Sequence, residues 1–157
     1  LKKIEHLTQP RQKNANSLSK SLNSLPGITV PFVSSDVEHV WYVYSIKYDA
    51  SKTGLSRNEL VNSINAEGIP LTMGYVKPIY LEPLFQQKIV FGDKGFPYSC
   101  SCYGDLSNIS YQKGICPTVE KIESEQIIHT NICRAGINES DVDDVIRAFE
   151  KVLQTTA

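Results

Sequence analysis

The sequence predicts an α+β fold: a two-layer sandwich in which a small, mostly antiparallel sheet carries helices packed on one face. Three observations predict it. The elements run helix, strand, strand, helix, strand, long irregular lobe, short helix, strand, helix. Their connections are short and of the strand–helix–strand kind. The first and last helices are amphipathic, each with one apolar face to bury. A chain of 157 residues is long enough for one domain with its own core.

Taken in order, Leu1, Ile4 and Leu7 fall on one helical face, and Thr8 with Pro10 reads as a fresh helix start. Ala15, Leu18, Leu22 and Leu25 continue at helical spacing until Pro26-Gly27 stops the helix. Ser17 to Lys20 has Ser-x-x-Lys spacing, but Lys20 lies on the polar side, where a lysine is solvated. Ile28 to Val33 reads as a short strand, with Pro31 marking an edge. Val40, Tyr42, Tyr44, Ile46 and Tyr48 alternate with His39, Trp41, Val43, Ser45 and Lys47, the clearest strand in the chain. His39, alone at its start, reads as a hydrogen-bonded structural group.

Ser56 and Glu59 form a capping box, with Leu55 and Leu60 placed as a hydrophobic staple. Leu60, Val61 and Ile64 face inward, and Gly68 supplies the C-terminal stop. Ile69 to Met73 is the next expected strand. From Phe85 to Cys116 periodicity dissolves among glycines, serines and tyrosines, as in a functional or mobile lobe folding over something. Pro117 opens a short helix with Val119 and Ile122 inward, and Gln126 to Ile132 forms another strand. The last helix starts at Asn138. Glu139 and Asp141 complement its dipole, and Val142, Val145, Ile146, Phe149, Val152 and Leu153 form its buried face.

The stretch with the most functional promise runs from Gly68 to Pro83. Prolines at 70, 78 and 83 stiffen it, and Tyr75, Lys77 and Tyr80 are displayed between them. Such a loop serves as the edge of a ligand site, or as a connector whose tyrosines fill a core edge.

A net charge of −1 gives no electrostatic footprint for nucleic acid or an anionic membrane. No apolar run approaches the length of a membrane span. The polar start, Leu1-Lys2-Lys3-Ile4-Glu5-His6, does not read as a signal peptide, and a start without methionine inside a helical pattern reads as a fragment. The four cysteines, Cys100, Cys102, Cys116 and Cys133, are open to a metal or a disulfide reading. The one-residue gap between Cys100 and Cys102 is too short for a zinc knuckle, and without an export signal all four are expected as free thiols.

His39-Val40-Trp41-Tyr42-Val43-Tyr44-Ser45-Ile46, Arg57 at a helix start, Gly68-Ile69, Tyr75-x-x-Pro78-Ile79-Tyr80, Cys116-Pro117-x-x-Glu120 and the Asp141-Val142-Asp143-Asp144-Val145 helix fall in sequence. Together they resemble the C-terminal domain of the DegT/DnrJ/EryC1/StrS family, pyridoxal-phosphate-dependent sugar aminotransferases of the aspartate aminotransferase fold type. Glu5 to Ala15, with Arg11, is similar to the family's linker helix. The resemblance implies residues 1–25 as that linker and 26–157 as the small C-terminal α+β domain.

It also implies transamination of a nucleotide-linked keto-sugar or related cyclic ketone, with glutamate or glutamine as donor, by a cytoplasmic homodimer. The Schiff-base lysine, the acidic partner and the phosphate cradle for pyridoxal phosphate lie, in the family, on a large N-terminal domain. No catalytic, cofactor-binding or metal residue is expected in this chain, which alone is expected to be inactive. Its implied role is to close over the site and shape the sugar pocket through Tyr75, Lys77 and Tyr80. Tyr75 matches the aromatic position of the family's His-Tyr-x-x-Pro-x-His loop, whereas Gly74 and Tyr80 stand where the family often has His. Lys77 offers a charge to a phosphate or carboxylate. Glu120 is expected to make structural hydrogen bonds. Two other readings compete: a stand-alone small-ligand or regulatory module holding its ligand in the 85–116 lobe, and a thiol-based metal or redox module built on Cys100 and Cys102.

Overall fold

The computed structural model describes residues 2–92, 94–104, 106 and 108–154, so the expected place of Leu1 on the first helical face lies outside the described residues. The helices are α1 (Ile4–Leu22), α2 (Arg57–Ala66), α3 (Pro83–Gln86), α4 (Pro117–Lys121) and α5 (Glu139–Gln154); the strands are β1 (Ile28–Thr29), β2 (Tyr44–Tyr48), β3 (Thr72–Met73) and β4 (Ile127–Thr130). The chain forms two compact units. The first comprises Leu1–Tyr75 and Glu125–Ala157, the second Val76–Ser124.

In the first unit the four strands form a sheet ordered β1-β2-β4-β3, antiparallel throughout. Alternation along β2 sends Tyr44, Ile46 and Tyr48 into the core, where each is fully buried. There they join Leu18 and Leu22 of α1, Leu60 and Ile64 of α2, Ile128 of β4, and Val145 and Phe149 of α5. Burying a side chain of this size contributes about 1.5–3 kcal/mol. This is the α+β sandwich the sequence predicts, with α1, α2 and α5 on one face.

The helix boundaries follow local chemistry. Ser56 and Glu59 complete the capping box of α2, with Glu59 N–H donating to Ser56 Oγ at 3.2 Å and Ser56 N–H to Glu59 Oε2 at 2.8 Å. At its other end Gly68 takes φ +88°, its N–H reaches Asn65 O, and Ile69 N–H reaches Ile64 O, a Schellman stop. Asn138 caps α5 reciprocally with Asp141. Gly27, at φ +72°, allows a close pass: a Cβ there would lie 2.7 Å from Asp49 O.

Several expectations are corrected. Thr8 and Pro10 start no new helix; Pro10 lies inside α1, whose early turns are exposed, so the carbonyl freed at His6 is not trapped in a core. The strand expected from His39 begins only at Tyr44. Trp41 takes φ +52°, a left-handed conformation that breaks the alternation before the strand begins. Trp41 is consequently buried while Val40 and Tyr42 are exposed. The kink is fastened by Trp41 N–H to His39 Nδ1 at 2.9 Å and by Arg11 Nη1 to Trp41 O at 3.0 Å. His39 therefore is a hydrogen-bonded structural group. β1, β3 and β4 are each shorter than expected.

In the second unit Val119 is 47% exposed, contrary to its expected inward placement. After α4 the chain continues as a wider π turn over Ile122–Gln126. The lobe holds little regular structure, as expected; its Asp93, Asp105 and Ser107 lie outside the described residues. Free thiols at all four cysteines are also corrected. Cys100 and Cys102 form a disulfide, their Cα atoms 5.3 Å apart and so within bridging range even at i, i+2, while Cys116 and Cys133 are free.

Candidate functional site

The sheet face opposite the core is where polar chemistry gathers in the first unit. The register pairs Ser45 of β2 with His129 of β4, and His129 with Thr72 of β3. Because Ile46 and Ile128 point into the core, their neighbours Ser45 and His129 point out of it. Ser45 Oγ and His129 Nδ1 lie 2.8 Å apart. The other ring nitrogen, Nε2, is buried and has no hydrogen-bond partner among the described residues. His129 is 7% exposed, and burial pushes its pKa below the ordinary 6.5. The ring is therefore neutral near pH 7.

Beside it opens a pocket of about 410 Å³, lined by Tyr42, Thr72, Tyr75, His129, Asn131 and Arg134, among others. The Tyr75 ring meets the imidazole edge-on, centroids 5.2 Å apart at 62°. Tyr75 remains 60% exposed. Its neighbour Tyr42, by charge repulsion and a hydroxyl–hydroxyl hydrogen bond, pushes the Tyr75 pKa up, so the phenol stays protonated. Among the lining residues, Thr130 Oγ1 donates to Pro70 O at 3.2 Å and accepts from Ile132 N–H at 3.2 Å.

Of the three residues singled out in the sequence, Tyr75 lies in this pocket, while Lys77 and Tyr80 belong to the second unit. Lys77 is exposed. Tyr80 is buried, and its hydroxyl donates to Glu120 Oε1 at 2.5 Å. The same carboxylate oxygen accepts Gly114 N–H at 2.6 Å. Burial, then the Glu120 carboxylate, pushes the Tyr80 phenol up to about 12. The Tyr80 hydrogen bond in turn holds Glu120 below the usual carboxylate range. Glu120 thus makes the structural hydrogen bonds expected of it.

Sequence reasoning missed His129, Ser45, Tyr42 and Arg134. The usable signal is His129 itself, a lone imidazole inside an apolar strand pattern, with Ser45 on the polar phase of the strand it pairs with. Among the described residues no group of three or more His, Cys, Asp or Glu side chains is placed to hold a metal. None of the described helices is long and apolar enough to cross a membrane.

Comparison with known proteins follows the same architecture. The chain is 25% identical over 154 residues to the spore coat polysaccharide biosynthesis protein SpsC of Bacillus subtilis, covering 98% of this chain and 34% of that protein. Its fold superposes on a DegT DnrJ EryC1 StrS aminotransferase from Brucella abortus with a TM-score of 0.69 at 22% identity, over 98% of this chain and 33% of that one. It superposes on S. venezuelae DesV, solved with a ketimine intermediate, with a TM-score of 0.71 at 19% identity, over 98% and 34%. The chain thus spans about a third of the length of these relatives. The family model for the DegT/DnrJ/EryC1/StrS aminotransferases matches residues 1–148, nearly all of the sequence, and the chain belongs to that family.

Proposed function

We propose that this chain is the small C-terminal domain of a pyridoxal-phosphate-dependent sugar aminotransferase. In this reading the longer protein aminates a nucleotide-linked keto-sugar or related cyclic ketone with glutamate or glutamine as donor, as a cytoplasmic homodimer. The observation that carries it is the family match over residues 1–148, in a chain about a third as long as its relatives.

Pyridoxal phosphate supplies an electron sink when bound, and it needs a lysine amine, a carboxylate for the pyridine nitrogen and a phosphate cradle. The pocket of the first unit is lined by neither a lysine nor a carboxylate, so its residues do not fit the cofactor. We assign the cofactor to a part of the longer protein outside residues 1–157. This chain would bind and orient the sugar and exclude water from it. Tyr75 on the first unit, and Lys77 and Tyr80 on the second, are each proposed to contact substrate. Tyr75 offers a ring face and a protonated phenol, Lys77 a cation for a phosphate, and Tyr80 an edge whose hydroxyl is shared with Glu120.

The test uses the longer natural protein purified with pyridoxal phosphate. The expected result is a visible cofactor band that bleaches on addition of glutamate or glutamine, and that borohydride traps on a lysine outside these residues. A protein that binds no pyridoxal phosphate overturns the proposal. A second reading, a stand-alone module holding a small ligand in the 85–116 lobe, then takes its place, and a pocket of about 370 Å³ lined by Phe85, Lys88, Ile109 and Tyr111 supports it.

A further inference from the structure

His129 presents an unusual account of its hydrogen bonds. One ring nitrogen is engaged by Ser45, while the other is buried without a partner among the described residues. Natural folds rarely leave a buried polar atom unpaired, and such an atom calls for a use. Here the residue carrying it lines a pocket and touches an exposed side chain, Tyr75.

The chemistry of the lining narrows what enters. An apolar ligand would leave Nε2 unpaired. A cation would find no carboxylate among the lining residues, and no cluster of His, Cys, Asp or Glu is placed to complete its ligand shell among the described residues. What remains is exposed aromatic surface at Tyr42 and Tyr75 beside the neutral polar groups of Thr72, Asn131 and His129, with the Arg134 guanidinium in the same lining to take the phosphate that a nucleotide-linked sugar carries. A ring bearing vicinal hydroxyls uses both, stacking its C–H face on an aromatic and pairing its hydroxyls with amide, hydroxyl and imidazole. A hydroxyl also suits either tautomer of His129, since it donates to a bare Nε2 and accepts from a protonated one.

We propose that His129 reads a sugar hydroxyl through Nε2, and that Tyr75 is the movable cover that must shift before a sugar reaches it. The proposal rests on the reading of this pocket as a substrate wall and names the group that does the recognising. The backbone before the cover is anchored, with Gly74 N–H donating to Ile127 O at 3.2 Å, so the motion belongs to the Tyr75 side chain.

The chain has three histidines, His6, His39 and His129, and the first and second are exposed and serve as internal references. Diethyl pyrocarbonate acylates neutral imidazole nitrogen, and peptide mapping gives a rate for each. In the wild-type chain His129 should react at least tenfold more slowly than His6. Tyr75→Ala should raise its rate about tenfold, while Tyr75→Phe, which keeps the cover, should leave it unchanged. With ring-labelled histidine, NMR should show the His129 signals moving saturably with millimolar UDP-glucose or UDP-N-acetylglucosamine, His6 and His39 staying put, and UDP alone having no effect. An unchanged His129 rate in Tyr75→Ala overturns the cover, and a response to UDP alone, or to none of the three probes, overturns the sugar-reading role. If the longer protein binds no pyridoxal phosphate while His129 still responds to the sugars, only the aminotransferase reading fails.

Discussion

Tyr80 and Glu120, forty positions apart, are joined by a hydrogen bond of 2.5 Å in which the phenol donates to a carboxylate that also takes Gly114 N–H. Charge-assisted bonds of this kind are the stronger ones. In a unit with so few regular elements, this pair ties the loop after Tyr75 to the turn before α4. Tyr80→Phe removes the donor and keeps the ring. The carboxylate signal of Glu120 should then titrate at higher pH than in the wild type, and amides around residues 112–120 should exchange faster with solvent. An unmoved Glu120 titration would show that the hydrogen bond does not form in solution.

His129 makes the first unit's stability depend on pH. Its folded pKa is lowered by burial, so the unfolded chain takes up this proton first as pH falls. Above the unfolded value of about 6.5 the group contributes no pH dependence; stability is lost as pH drops below it towards the folded value. Urea midpoints between pH 7.5 and pH 5 should therefore fall for the wild type, and fall less for His129→Gln. Identical slopes would remove His129 as a source.

Leu18 tests whether α1 is integral to the fold. It is fully buried in the same core as Ile64 and Phe149. Leu18→Ala should cost about 2–5 kcal/mol, the range for large-to-small core changes, and Ile64→Ala a similar amount. Chemical denaturation measures both. A loss under about 0.5 kcal/mol at Leu18, the size of an ordinary surface change, would mean that α1 is detachable.

Gly27 is a backbone test. An alanine there meets Asp49 O at 2.7 Å and must hold φ +72°. The left-handed conformation alone costs roughly 1–2 kcal/mol for a residue with a Cβ. Gly27→Ala should lower the thermal midpoint by several degrees, whereas Gly54→Ala, with the same sign of φ but open space, should lower it less.

What was legible in the sequence is what short-range chemistry decides. Ser56, Glu59 and Gly68 bound α2 because caps act on their own backbone, and the apolar spacing of α5 needs only one face to bury. Trp41 was not legible. Its residue type favours extension, and of the two bonds that fasten the turn, the one from Arg11 to its carbonyl comes from thirty positions away. Pro10 misled because the rule for proline assumes a carbonyl that needs a partner, and that turn of α1 faces outward. Cys100 and Cys102 misled because the compartment argument weighed more than geometry. Tyr75 was legible as a displayed side chain, but His129 was not, since its meaning depends on a register with Ser45 that joins distant parts of the chain.

That register has a consequence in time. The central strand pair of the sheet joins Tyr44–Tyr48 to Ile127–Thr130, and Ser45 and His129 are 84 positions apart. Closing so long a segment carries an entropic penalty before any ladder bond rewards it. During synthesis β2 emerges long before its partner, with only the two-residue β1 to pair with. The chain must therefore carry an open β2 edge through translation, and its sheet can close only after β4 has cleared the ribosome.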